Sequence, residues 1–248
     1  MIVLKNKSEI ELMKEAGRIS AQALIVGGQA VKPGVSTRYL DKLMYDYIKS
    51  QGATPSFLNY GGFPATACIS INNEIIHGIP GSRIIEEGDI VSIDVGAQYK
   101  GYHGDNAATF AAGKVSAEAQ RLMDVTRESL YIGISQAQSG ARLGDIGAAI
   151  QNYVEENGFA IVKDFVGHGV GSDLHEEPEV PNYGKAGRGP RLVPGMTIAI
   201  EPMVNAVGEG VKVLKDGWTT VTESGSLSAH FENTILITDN GPVILTKA

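Results

Sequence analysis

A change of hydrophobic texture that occurs twice along the chain predicts an α+β fold of two similar halves. Two helical patterns give way to short strand-like runs, and the same order of textures then returns. No Pro/Ser-rich linker separates the halves and no short-period repeat marks a solenoid. One domain over residues 1–248 is therefore expected, with strands covered by helices.

Ser8-Glu9-Ile10-Glu11 has the form of a capping box, and Ile10, Met13 and Ile19 then share one face of a helix running toward Gly27-Gly28. Pro33-Gly34 ends that segment. A second helix starts at Ser36 or Thr37, carries Leu40, Leu43, Met44, Tyr47 and Ile48 at three- and four-residue spacing, and stops at Gly52. From residue 53 the runs ACISIN, EIIHGIP and DIVSIDVGAQYKGYHGDNAATF, split by Gly, Pro and Asn, read as antiparallel strands and hairpins. Helical patterns return over about 116–137 and 143–157, the second with Ile146, Ile150, Tyr153 and Val154. Strand texture then fills FAIVKDFVGHGVG, MTIAIEPMV, GWTTVTE, HFENTILITD and PVILTK.

A hydrophobic content of 43% over 248 residues supports a real core. The formal charge of -7 leaves no basic footprint for a dedicated nucleic-acid binder. One cysteine, Cys68, cannot close an intramolecular disulfide, which favours a reducing compartment. The start lacks an apolar h-region, and no stretch reaches the ~20 apolar residues of a membrane helix. A soluble, cytoplasmic protein without membrane contact is expected. GHGVG and YGG lack the spacing of a phosphate loop, so nucleotide binding has no support.

Five potential ligands for a hard divalent metal sit in apolar or glycine-rich settings: Asp94, Asp105, His168, Glu201 and Glu232. An unpaired buried carboxylate is strongly disfavoured, so each acid needs a partner or a proton. Strand alternation points Asp94 away from Ile93 and Val95, gives Glu201 of TIAIEPM a face of its own, and sets Glu232 opposite Phe231 and Asn233. Asp105 follows Asp94 with Gly101 and Gly104 between them, as a returning hairpin requires, and Gly167 and Gly169 flank His168. Taken singly, each acid reads as a turn residue or a surface ion pair; together they read as a metal centre. Four carboxylates balance two divalent cations and overload one. A paired site of carboxylates and one imidazole suits Mn, Fe(II), Co or Zn, and ions roughly 3.5–4 Å apart let a shared water ionise near neutral pH.

With SINNEIIHGIP, GHGVGSDLHEEP, IAIEPM, DGWTTVTESGSLSAHFENT and TDNGPVIL added to these five residues, nearly the whole chain resembles the methionine aminopeptidases of bacterial type I, within subfamily A of the M24 peptidases. The resemblance implies the pita-bread fold, two pseudo-symmetric halves around two divalent ions. It also implies removal of the initiator methionine from nascent polypeptides whose second residue is small. By motif, Asp94 would chelate one ion, Asp105 and Glu232 would bridge both, and His168 and Glu201 would complete the other, with Glu201 also accepting the proton of the attacking water. His77 and His175 match the family's two non-ligand histidines, which would contact the substrate amide and the developing charge. The methionine pocket would be Phe57, Tyr60, Phe63, Cys68, Leu174 and Trp218, where Leu174 replaces a frequent aromatic and Phe57 a sometimes smaller residue. Without the motifs these side chains would read as core, and His103 and His230 are left as core or loop histidines, the latter standing where glutamine is common.

Transient contact with the ribosome and a monomeric state are expected from the same likeness. Proline-specific peptidases of this fold are the enzymatic rival. They usually carry a further N-terminal domain, which the early first helix is expected to exclude here. Relatives that lost their ligands and became binding modules are the other rival, and every ligand position in this chain is filled.

Overall fold

The computed structural model describes all residues, Met1–Ala248. Its first half runs α1 (Lys7–Gln29), α2 (Thr37–Ser50), β1 (Thr54–Pro55), β2 (Ala67–Ile71), β3 (Glu74–Ile76), β4 (Ile90–Tyr99) and β5 (Tyr102–Ala111). The second runs α3 (Ala117–Gln136), α4 (Leu143–Glu156), β6 (Ala160–Ile161), β7 (Gly167–Gly169), β8 (Glu176–Val180), β9 (Thr197–Ile200), β10 (Met203–Asn205), β11 (Val211–Val213), β12 (Thr220–Thr222), β13 (Ser228–His230), β14 (Glu232–Thr238) and β15 (Gly241–Ile244). No helix is long and apolar enough to cross a membrane.

The principal sheet has the order β1-β4-β5-β14-β9-β7-β8, with β2 beside β4 and β15 beside β14. First-half strands thus lie together on one side of the β5/β14 seam and second-half strands on the other, as two matching halves require. Each half has its own helix layer. Ile19, Leu40, Met44 and Ile48 of α1 and α2 pack on Ile69, Val91, Ile93 and Val95, while Leu122, Leu130, Ile146 and Ile150 of α3 and α4 pack on Ile198, Ile200, Ile235 and Ile237. Burying such a side chain contributes about 1.5–3 kcal/mol, so these layers fix which sheet face turns inward. The opposite face of β4, β5 and β14 is left for other side chains.

Local chemistry explains the departures from the expected boundaries. The capping box of α1 is built by Asn6 rather than Ser8: Asn6 Oδ1 accepts from Ser8 N at 3.0 Å and Glu9 N at 3.1 Å, and Glu9 Oε2 accepts from Asn6 N at 2.7 Å. The helix therefore begins at Lys7, and it runs through Gly27-Gly28 to Gln29, ahead of Pro33-Gly34. Those glycines admit neighbours: a Cβ on Gly27 would lie 2.7 Å from Met44 Sδ, and one on Gly28 would strike the Phe110 ring. MTIAIEPMV, read as one strand, splits into β9 and β10 in different sheets at Glu201-Pro202, because proline cannot donate to a ladder. HFENTILITD likewise splits at Phe231 into β13 and β14.

Candidate metal centre

The β4–β5 hairpin turns on Lys100 and Gly101, at φ 48° and 88°, the positive values that a two-residue type I′ loop needs. Its register pairs Asp94 with Ala107 and Gly96 with Asp105, while β2 pairs Cys68 with Asp94 and β14 pairs Glu232 with Ala107. Cys68, Asp94, Ala107 and Glu232 form one row across four strands, all on the same face. Asp105 stands two residues from Ala107 on that face. The small Ala107 stands between the acids, and Gly96 admits Ser56 and Phe57, since a Cβ there would lie 2.8 Å from Ser56 Cβ.

Glu201 lies one residue past the last β9 pair, Ile200 with Asn233, which brings it level with Glu232. Asn182 Nδ2 holds the Glu201 carbonyl at 3.1 Å where Pro202 breaks the ladder. His168, on β7, hydrogen-bonds through Nδ1 to the Gly169 carbonyl at 2.9 Å. A carbonyl only accepts, so Nδ1 carries the proton and Nε2 presents a lone pair. That nitrogen lies 3.8 Å from Asp105 Oδ2 and 3.5 Å from Glu201 Oε1. Acceptors facing acceptors repel unless a cation lies among them.

A cavity of about 220 Å³ is lined by the five predicted ligands together with His77 and His175, and contains no Lys or Arg. Asp94 Oδ1, Asp105 Oδ1 and Glu232 Oε1 are buried without any hydrogen-bond partner. Asp105, His168 and Glu232 alone already offer ligand atoms within 4.8 Å of one another. Burial pushes the Asp94, Glu201 and Glu232 carboxyls well above the ordinary carboxylate range, with neighbouring acids adding to the rise, and carries Asp105 up to about 7. Burial pulls His168 down to about 3 and His77 to about 4, with the nearby His175 lowering both further. Orphaned oxygens, neutral imidazoles and four acids without a cation fit divalent metal ions.

The expected pocket residues Phe57, Tyr60, Phe63, Cys68, Leu174 and Trp218 all line this cavity beside the acids. Phe63 meets Trp218 edge-on with centroids 5.2 Å apart, and Trp218 and Phe165 stand edge-on to His77 at 6.2 and 5.7 Å. His77 has φ 59°, an uncommon conformation for a non-glycine residue, and directs its ring into the cavity. His103 stays out of the cavity, held by Ser56 Oγ at 2.8 Å and Gln98 Nε2 at 3.1 Å. His230 departs from expectation. Its buried Nε2 has no hydrogen-bond partner and lies 3.6 Å from Glu201 Oε2, so it flanks the site. Its shared strand parity with Glu232 was the available signal; nothing in the sequence marks Asn182.

The model of metallopeptidase family M24 matches residues 11–239. The chain belongs to metallopeptidase family M24. Among its M24 relatives, a methionine aminopeptidase of Clostridium acetobutylicum is 55% identical over 247 residues, covering 99% of each chain. Methionine aminopeptidase 1 of Bacillus subtilis is 52% identical and covers 100% of each chain. The crystal structure of a methionine aminopeptidase from Thermotoga maritima superposes with a TM-score of 0.99 at 47% identity, covering 100% of each chain. The curled antiparallel sheet with four helices is the pita-bread fold that this M24 chain shares with them.

Proposed function

We propose that this M24 peptidase removes the initiator methionine from nascent polypeptides whose second residue is small, using two divalent ions. The observation that carries this reading is one cavity in which an apolar aromatic wall runs directly into the carboxylate and histidine cluster. At about 220 Å³ it is smaller than the roughly 300–1,000 Å³ of common ligand pockets, which suits a single side chain. Phe57, Phe63, Cys68, Leu174 and Trp218 offer the thioether an apolar, polarizable surround.

Asp94 would hold one ion, Asp105 and Glu232 both, and His168 and Glu201 the second. Bound divalent ions of the Mn, Fe(II), Co or Zn kind polarise a carbonyl and make a water nucleophilic at neutral pH. Glu201, whose carboxylate lies 3.5 Å from His168 and 3.6 Å from His230 with no Lys or Arg lining the cavity, takes the proton of the attacking water. His77, kept neutral by burial, and His175, whose Nδ1 meets the Tyr60 hydroxyl, donate N–H groups to the peptide amide and to the charge that develops on its carbonyl oxygen. Phe57 and Leu174, buried in the same cluster as Phe63 and Cys68, would tune the methionine wall without touching the reaction.

Because the ligands come from both halves, residues 1–248 act as one catalytic unit. With nascent chains as substrate, the reading is of a cytoplasmic enzyme in transient contact with the ribosome, and a monomer by its likeness to the family. The test is release of methionine from Met-Ala-Ser by metal-free protein titrated with Mn(II) or Co(II), beside N-formyl-Met-Ala-Ser and an Xaa-Pro peptide. Metal-dependent release from the free-amine methionyl peptide alone is expected. Cleavage confined to the Xaa-Pro peptide, or none with metal bound, would overturn the reading.

A further inference from the structure

Three histidines, His77, His168 and His175, line the cavity, and His175 differs in having Nδ1 held by another side chain: the Tyr60 hydroxyl lies 2.9 Å away. The two rings stack with centroids 5.2 Å apart and an interplanar angle of 26°. The segment around Tyr60 is shaped to hold it there. Asn59 and Gly61 on either side have φ 67° and 55°, and the turn is closed by Asn59 N to the Phe63 carbonyl at 2.8 Å and Phe63 N to the Tyr60 carbonyl at 2.9 Å. A left-handed non-glycine residue costs on the order of 1 kcal/mol or more, a conformation that persists only where its surroundings impose it.

Tyr60 is a poor candidate for a plain apolar wall. It is 44% exposed, whereas Phe63 beside it is 3% exposed. Its hydroxyl is the group the geometry uses. We propose that Tyr60 is a positioning residue that holds His175 in the tautomer with the proton on Nε2, so that an N–H donor is turned to the peptide carbonyl. This rests on the role given to His175 above. A phenol oxygen is a weak acceptor because its lone pair is delocalised into the ring, whereas the unprotonated imidazole nitrogen is a strong one. The hydroxyl therefore donates to Nδ1, and the single proton of a neutral ring resides on Nε2. A ring with the opposite tautomer would present a lone pair to a developing negative charge and repel it.

The test uses ¹⁵N-histidine-labelled full-length protein without metal, the His175 signals being assigned by their loss in His175→Asn. The wild-type ring is expected as the Nε2–H tautomer, and Tyr60→Phe, which keeps the stacked ring, is expected to shift toward Nδ1–H or a mixture. With Mn(II) added, Tyr60→Phe should lose about tenfold or more in kcat on Met-Ala-Ser with KM changed less than about twofold. A wild-type Nδ1–H ring, or a Tyr60→Phe protein with unchanged tautomer, overturns the proposal. A shifted tautomer with unchanged kcat overturns the link to catalysis and places the failure in the role given to His175, which unimpaired turnover by His175→Asn would confirm.

Discussion

Glu201 stands where strand pairing stops and two histidines begin. Its backbone is released from the ladder by Pro202 and caught by Asn182, and its carboxylate reaches both His168 and His230. That placement leaves a carboxylate with no hydrogen-bonding cation, in surroundings that favour its protonated form. Glu201→Gln keeps the shape and removes the basic oxygen. It should lower kcat on Met-Ala-Ser by about 10²-fold or more with far-UV circular dichroism unchanged; near-normal turnover would remove Glu201 from the role of base. Single residues of this kind were legible in part. An acid in an apolar strand announces a problem to be solved, whereas His230 and Asn182 look like ordinary polar residues until the chain folds.

The hairpin of β4 and β5 is the element that sets the acids beside one another, and α1 lies directly on it. The contact is close because two glycines meet: a Cβ on Gly104 would lie 2.5 Å from both Cα and N of Gly17. Those are backbone atoms of a helix and cannot swing aside. Gly104→Ala should therefore push α1 from β5 and destabilise the protein by about 1–3 kcal/mol, read as a lower urea midpoint with an unchanged m-value. It should also weaken metal binding, since Asp105 is the next residue. An unaltered midpoint would show that the helix accommodates a methyl group at this contact. The sequence marked the hairpin through Gly101 and the alternation of VSIDVG, because local chemistry fixes a two-residue turn. It could not mark Gly104 as a packing glycine, since its partner lies in α1, far along the chain.

Across the whole molecule, both halves converge on one set of carboxylates, and folding without metal must bring these charges together. Their carboxyls are raised in the folded state, Asp105 to about 7 and the others also upward, so at these four groups the folded protein binds more protons than the unfolded chain. The resulting stability is fully present below the ordinary carboxylate range and is lost as pH rises through about 7. Surface carboxylates such as Glu9, Glu15, Asp145 and Asp216 are lowered instead, through hydrogen bonds from Asn6, Arg18, Arg142 and Thr219, and lose their contribution only on acidification below about 4. His77, His103, His168, His175 and His230 are lowered in the folded state and oppose the cluster below their ordinary value of 6.5, so the carboxyls dominate only above about pH 7. The Tm of metal-free protein should fall between about pH 7 and 8, and saturating Mn(II) should abolish the fall because the ion binds the ionised form. A metal-free Tm that rises with pH there would contradict the buried cluster.

The sequence by itself determined the helix and strand textures, the ligand types and the family, because periodicity, turn chemistry and motif residues are local properties. The packing of Met44 and Phe110 on Gly27-Gly28 and the two broken strands were decided otherwise, by contacts between distant elements and by the transfer of chain between sheets at Pro202 and Phe231. Only the tertiary structure set Cys68, Asp94 and Glu232 in one row, turned His230 toward Glu201 and stacked Tyr60 on His175. Each of those depends on register between strands or loops distant in the chain, and register follows from the summed burial of both helix layers rather than from any one segment.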